Sequence, residues 1–345
     1  MMRKSVGLIA LLMVAMAFVV APPVAAEMTA PTTVEILDCG GDAPVIKCKW
    51  ENDTTEWMED GDTTHSTFGS QFDPTCDDTQ KKEIFVYAVV TDAQGIGDIT
   101  SVLFNVTGPC GAELIGQTCM SEVTAGALDL VNAANLSDLI HYYGGYDLDD
   151  VRAELGECPT AKLYVGSFEV DYCSPAGDYT VTVWAVDTKY YESDRVTNVF
   201  SMNRLACCEY DFTCINWGSI YQTTTEALVT GDKDMSTSDK PTVKNLGNID
   251  IQIKVEQDKL SSGGKEYYID NCGNTMYRFD AKILSMGIKK YFAPDQLVTL
   301  NGYIERCKMD GICFSLDQLN NGLPPGSYTG MVHIQCADSG NNPCP

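Results

Sequence analysis

The sequence is short of bases and of histidine. Lysine and arginine number 23 against 48 aspartates and glutamates, there are 3 histidines, and the formal net charge is −25. So acidic a chain repels phosphate backbones, which excludes nucleic acid as a natural partner. It gathers cations instead and stays soluble in salt. His65, His141 and His333 are scattered over a polar loop, an irregular insertion and a strand-like run. No Gly-x-Ser-x-Gly elbow, His-Glu-x-x-His helix or phosphate-cradling glycine loop occurs. Paired carboxylates could serve a glycosidase, but no pair stands out among so many acids. The requirements of a catalytic centre go unmet, so the expectation is a protein that is not an enzyme and takes no cofactor.

A Cys-x-x-Cys pair is also missing, although the chain has 15 cysteines. That disfavours zinc ribbons and thioredoxin-like sites and leaves disulfides in an oxidising compartment. After the first 26 residues there is no long apolar run. Those residues carry Arg3 and Lys4, an apolar stretch from Val6 to Val20, and Val24 and Ala26 at small-residue cleavage positions. The stretch is shorter than the roughly 20 residues a membrane helix needs. It reads as a secretory signal (1–26), so the mature protein is expected outside the cell or on its surface, without a transmembrane segment.

What remains is rich in short β-type runs separated by turns. The first part, 27–206, offers "TVEIL" (33–37), "VIKCKW" (45–50), "EIFVYAVVTD" (83–92) and "ITSVLFNV" (99–106). The last two, flanking "AQGIGD", read as a hairpin. A polar stretch over 51–82 reads as a long loop. Residues 108–160 interrupt the rhythm as a small helical insertion. Thr124 can cap a helix with Ala127, Val131 and Ala134 on one face, and Asp147 can cap another striped by Leu148, Val151 and Leu155 and stopped at Gly156. Strand-like runs then resume with "AKLYVGSFEV", "GDYTVTVWAVD" and "RVTNVFSMN".

The second part, 207–345, is a further all-β set. In "KPTVKNLGNIDIQIKVEQ", Ile249, Ile251, Ile253 and Val255 alternate without interruption. "GDYTVTVWAVD" (177–187) is echoed by "GSYTGMVHIQC" (326–336), and a tyrosine entering a strand after a glycine turn fits the tyrosine corner of immunoglobulin-like sandwiches. The expected architecture is all-β: two immunoglobulin-like sandwiches, the first with the helical insertion.

The phrases "PVIKCKWENDTTEWMEDGDTTHSTFGSQFDP", "YDLDDVRAEL", "GDYTVTVWAVD" and "KPTVKNLGN" resemble a group of exported, two-domain surface proteins of methanogenic archaea. These are framework phrases. The resemblance implies immunoglobulin-like architecture and a cell-surface setting, with sheath or surface-layer association by analogy, and it transfers no active-site residues.

Several residues invite more specific expectations. Cys39 with Cys48, Cys307 with Cys313, and Cys336 with Cys344 each bracket a turn-rich segment and are candidate disulfides. Cys207, Cys208 and Cys214 form an odd cluster at the junction of the two parts. Because 15 is odd, a spare thiol for linking subunits is sought there. Asn52, Asn105 and Asn135 stand in Asn-x-Ser/Thr triplets and are glycosylation candidates, Asn105 only if its side chain faces out. Asp60, Asp62 and His65 lie close together, and Asp92 and Asp187 end valine-rich runs. Oxygen-rich loops can hold calcium, but without an EF-hand ligand series these residues read first as Asx-turns. Trp57 and the group Tyr142, Tyr143 and Tyr146 read as packing the insertion.

The functional expectation is a disulfide-rich building block of an envelope layer or sheath, associating with copies of itself or with other surface proteins. Its rival is an adhesion or ligand-binding module for carbohydrate or calcium.

Overall fold

In the computed structural model, residues 42–53, 71–136, 138–156, 160–221, 224–269, 273–317, 319 and 323–341 are described. "TVEIL", Cys39, Trp57, Asp60, Asp62, His65 and Cys344 lie outside them. Strand structure dominates, in agreement with the all-β expectation. The first part contains β1 (Val45–Asn52), β2 (Gln71–Phe72), β3 (Lys81–Thr91), β4 (Ile99–Thr107), β5 (Glu113–Cys119) and β6 (Ser121–Glu122). It continues through α1 (Ala127–Leu136), β7 (His141–Tyr142), α2 (Leu148–Gly156), β8 (Ala161–Asp171), β9 (Gly177–Asp187) and β10 (Val196–Met202).

These strands make two five-stranded sheets, ordered β6-β8-β3-β1-β7 and β2-β10-β9-β4-β5. The alternate residues Ile84, Val86, Ala88 and Val90 of β3 meet Tyr179, Val181, Val183 and Ala185 of β9 in one core. That is the two-residue period of strands whose inner faces pack together. The expected hairpin of 83–92 with 99–106 does not form. β3 pairs with β1 and β8, whereas β4 pairs with β9 and β5, so the chain crosses between sheets at residues 92–98. Two-residue turns hold strands side by side, but this connection is long enough to span the roughly 10 Å between stacked sheets.

Both expected helices are present. Asp147 Oδ1 accepts from the Asp149 and Asp150 amides at 2.9 and 3.0 Å, capping α2. Val131, Ala134 and Val151 then bury against Cys48, Trp50, Tyr87 and Leu163 on the outer face of the first sheet. The tyrosines secure the insertion: Tyr142 donates to Asn135 Oδ1 at 3.1 Å, Tyr143 to the Thr197 carbonyl at 3.2 Å, and Tyr146 lies under Lys47.

The second part holds β11 (Cys208–Tyr210), β12 (Glu226–Val229), β13 (Thr242–Asn245), β14 (Ile251–Gln257), β15 (Leu260–Ser262) and β16 (Lys265–Tyr267). β17 (Arg278–Ile283), β18 (Lys290–Phe292), β19 (Val298–Thr299), β20 (Met309–Asp317) and β21 (Val332–Asp338) complete it. A sheet built on β11-β13-β20-β17-β18, with β12 also on β20, packs over the sheet β19-β14-β21. Ile251, Ile253 and Val255 fill the space between them, as their alternation predicts.

Among the described residues no sheet takes strands from both sides of residue 206, yet all of them belong to one compact unit. Among them, no helix is long and apolar enough to cross a membrane.

Candidate functional site

The junction between the two parts is covalent. Cys76, beyond β2, is bonded to Cys207, with Cα atoms 5.9 Å apart. Cys173, beyond β8, is bonded to Cys307, with Cα atoms 5.5 Å apart. Both bridges therefore join the first part to the second. Cys208, in β11, is bonded to Cys336, in β21. Adjacent side chains in extended backbone point to opposite faces, so Cys207 reaches the first part while Cys208 reaches across the second. Cys110 is also disulfide-bonded.

Three expected pairings are corrected by this arrangement. Cys307 and Cys313 are separated by chain that enters β20, and extended backbone advances roughly 3.3 Å per residue, carrying them beyond the Cα reach of a disulfide. Cys336 is held by Cys208 rather than by Cys344. Cys48, expected to pair with Cys39, is free and buried, as is Cys313. Burial pushes the Cys48 thiol up to about 12, which leaves it protonated and inert. Of the junction cluster, Cys207 and Cys208 are taken within the chain and only Cys214 is a free, exposed thiol. Cys119, at the end of β5, is another.

Polar contacts reinforce the two crossing bridges. Arg204 grips Asp338 with two hydrogen bonds of 2.7 Å, and Lys244 pairs with Asp78. The fully buried Asn248 receives the Leu205 amide on Oδ1 and donates Nδ2 to the Asn203 carbonyl, each at 2.8 Å. Gly247 permits this strapping: a Cβ there would lie 2.1 Å from the Leu205 carbonyl oxygen.

A second site lies where β3 crosses to β4. Asp92 follows the last residue of β3, Asp98 ends the short turn before β4, and Asp187 ends β9. One carboxylate oxygen from each lies within 4.8 Å of the other two. The expected Asx-turns are present: Asp92 Oδ1 accepts from the Gln94 amide, and Asp187 Oδ1 from the amides of Lys189 and Tyr191, all at 2.8 Å. Those bonds use only one oxygen of each carboxylate. Asp92 is 2% exposed and Asp187 0%, and Oδ2 of each is buried with no hydrogen-bond partner among the described residues. Asp98 is half-buried and accepts from the Thr188 hydroxyl. Burial, reinforced by the charges of Asp98 and Asp187, raises the Asp92 pKa above its ordinary value. Three converging carboxylates, two of them with an orphaned buried oxygen, form a hard-oxygen donor set. The valine-rich runs revealed Asp92 and Asp187 in sequence. Asp98 was missed, because only the sheet-to-sheet crossover folds it back onto them.

Of the glycosylation candidates, Asn52 is buried at the end of β1, so its amide is closed off in the folded chain. Asn105 lies between the core residues Phe104 and Val106 and faces outward, half-buried; Asn135 is also half-buried on α1. His141 is in β7, where burial lowers its pKa, and His333 meets Asp258 at 3.2 Å.

No protein-family model matches the chain, and no curated protein matches it. Among solved structures, it is similar to a chaperone–tip adhesin complex of CFA/I fimbriae, with a TM-score of 0.30 and 9% identity over 71% of this chain and 77% of that one. It is also similar to the CupB6 tip adhesin of Pseudomonas aeruginosa, at 0.26 and 10% over 86% and 97%. A third is the C-terminal domain of the AgI/II polypeptide BspA of Streptococcus agalactiae, at 0.21 and 11% over 86% and 96%. Likenesses this distant carry no functional argument.

Proposed function

We propose that the chain is an exported, non-enzymatic structural protein, a building block of a cell-surface layer or sheath made of copies of itself or of other surface proteins. The observation that carries this reading is the pair of bridges Cys76–Cys207 and Cys173–Cys307, which join two all-β parts into one covalent body. Disulfides persist in oxidising surroundings, and an acidic surface stays hydrated outside the cell. On this reading the two parts are immunoglobulin-like domains divided near residue 206, like those of the exported archaeal surface proteins the sequence resembles. The test is to image native cells carrying a tagged copy. An ordered array at the envelope is expected, and a dispersed soluble protein with no surface material would overturn the reading.

The Asp92, Asp98 and Asp187 cluster favours a second role within the same setting, the binding of calcium as a structural ion. The buried oxygens left without donors need a positive partner, and carboxylates are the ligands a hard cation prefers. Calorimetric titration of the full chain with calcium tests it: saturable binding that is lost in Asp187→Asn is expected, and no heat beyond dilution would remove the role.

A further inference from the structure

Three polar side chains meet inside the first core, where apolar packing is the rule. Lys49 and Glu51 of β1 are fully buried, and Asn198 of β10 is nearly so. A bulge at Lys47 sets the register so that Lys49 and Glu51 stand beside the core residues Ala88 and Val86 of β3. Asn198 stands beside Val181 and faces them from the other sheet. Glu51 touches both of the others. Lys49 Nζ donates to Oε1 at 2.6 Å, and Asn198 Nδ2 donates to Oε2. Lys49 Nζ also reaches the Val181 carbonyl at 3.3 Å. Asn198 Oδ1 is buried with no partner among the described residues.

Stability alone gives poor grounds for this trio. Desolvating two charges offsets most of their attraction, and apolar residues of similar size commonly do as well or better. An orphaned amide oxygen adds a further cost. The arrangement does suit a reaction. Burial lowers the Lys49 pKa, with the Glu51 charge opposing it, and so favours the neutral, nucleophilic amine. A single carboxylate lies against both the nucleophile and the nitrogen that would leave.

We propose that Lys49 and Asn198 condense into an isopeptide bond linking β1 to β10, with Glu51 carrying the protons. Lys49 first passes a proton to Glu51, leaving a neutral amine and a neutral carboxyl. The Nζ lone pair attacks Asn198 Cγ, forming the new C–N bond and placing charge on Oδ1. Collapse of that intermediate breaks the Cγ–Nδ2 bond, and Nδ2 departs as ammonia. Of the two protons Nζ loses, one leaves on the ammonia, relayed by Glu51, and the other stays on Glu51 as a buried neutral carboxyl. No oxidant, metal or cofactor enters. Fixing the reactants inside a packed core supplies what a slow amide exchange lacks in solution, an effective concentration on the order of 10⁵ M or more.

The test is the mass of the full chain after complete reduction and alkylation. It is expected to be one ammonia lighter than its sequence, and digestion is expected to release a branched peptide joining the Lys49 and Asn198 segments. Lys49→Met and Glu51→Gln chains are expected to keep the full sequence mass. A full-mass wild-type chain, or a deficit mapping to an internal succinimide at another asparagine, would overturn the proposal. A deficit that persists in Glu51→Gln would overturn the role of Glu51. If the variants fail to fold, the wild-type mass and its branched peptide decide the matter alone.

Discussion

Tyr179 donates its hydroxyl to the Pro175 carbonyl at 2.7 Å, and Tyr328 does the same to the Pro324 carbonyl at 2.6 Å. In both places the chain runs Pro-x-Gly-x-Tyr-Thr. The echo between the two parts is thus a shared local geometry, a tyrosine tied back to the carbonyl four residues upstream. The environments differ: Tyr179 is buried and stacks on Phe200, whereas the Tyr328 bond is exposed. Tyr179→Phe should therefore lower unfolding free energy by about 1 kcal/mol, and Tyr328→Phe by less. Urea titrations of the two variants check the order; equal effects would contradict it.

The crossing bridges should make the two parts unfold as one. Removing either, by Cys76→Ser or Cys173→Ser, is expected to reduce stability by about 2 to 5 kcal/mol. With both removed, the parts are held by non-covalent contacts such as those at Arg204, Lys244 and Asn248, and calorimetry should resolve two transitions. A single transition in the double variant would show that the polar contacts suffice.

Calcium should raise the melting temperature, by an amount corresponding to about 2.7 kcal/mol when the free ion is a hundredfold above its dissociation constant. The effect should shrink on acidification. The Asp92 carboxyl has a folded-state pKa above its ordinary value. Without an ion, its burial therefore favours the folded chain most below the ordinary carboxylate pKa, and that advantage is lost as pH rises through the raised value. Protons and calcium compete for the same oxygens, so scans with and without calcium should converge as pH falls through that window. Constant separation would rule out Asp92 as a ligand.

If subunits are joined covalently, the exposed thiols Cys119 and Cys214 are the described cysteines able to do it. Non-reducing gels of native surface material should show multimers that collapse to one band with reductant. Cys214→Ser should remove them or leave only dimers formed through Cys119. A single monomer band from the unreduced native protein would set aside the covalent layer and favour a binding module.

Strand positions were legible because alternation survives in sequence, as in Ile251, Ile253 and Val255. Partners were not, since β3 and β4 are adjacent in sequence but lie in different sheets. β1 shows the limit most clearly. Strict alternation assigns Ile46, Cys48 and Trp50 to one core and Lys47, Lys49 and Glu51 to solvent. One bulged residue changes the parity: Ile46 stays in the main core, Cys48 and Trp50 go beneath the helices, and Lys49 and Glu51 turn inside. A bulge has no fixed sequence signature, and the buried trio depends on it. The bridges were misassigned for a related reason, because sequence proximity weights local pairs and these three are all long-range.

Their separations of 131, 134 and 128 residues bear on how the protein is made. Synthesis runs from the N-terminus, so Cys76 meets Cys110, Cys119 and Cys173 before its own partner exists. The loops 76–207 and 173–307 also overlap, so neither part can complete its crossing bridge without the other. Oxidation cannot template this fold; it records a fold already reached, once the sheets have brought each pair together. A newly made chain must therefore be kept reduced or have its early mispairings reshuffled. Neighbouring Cys207 and Cys208, with partners on opposite sides, are where a single exchange would spoil two bridges at once.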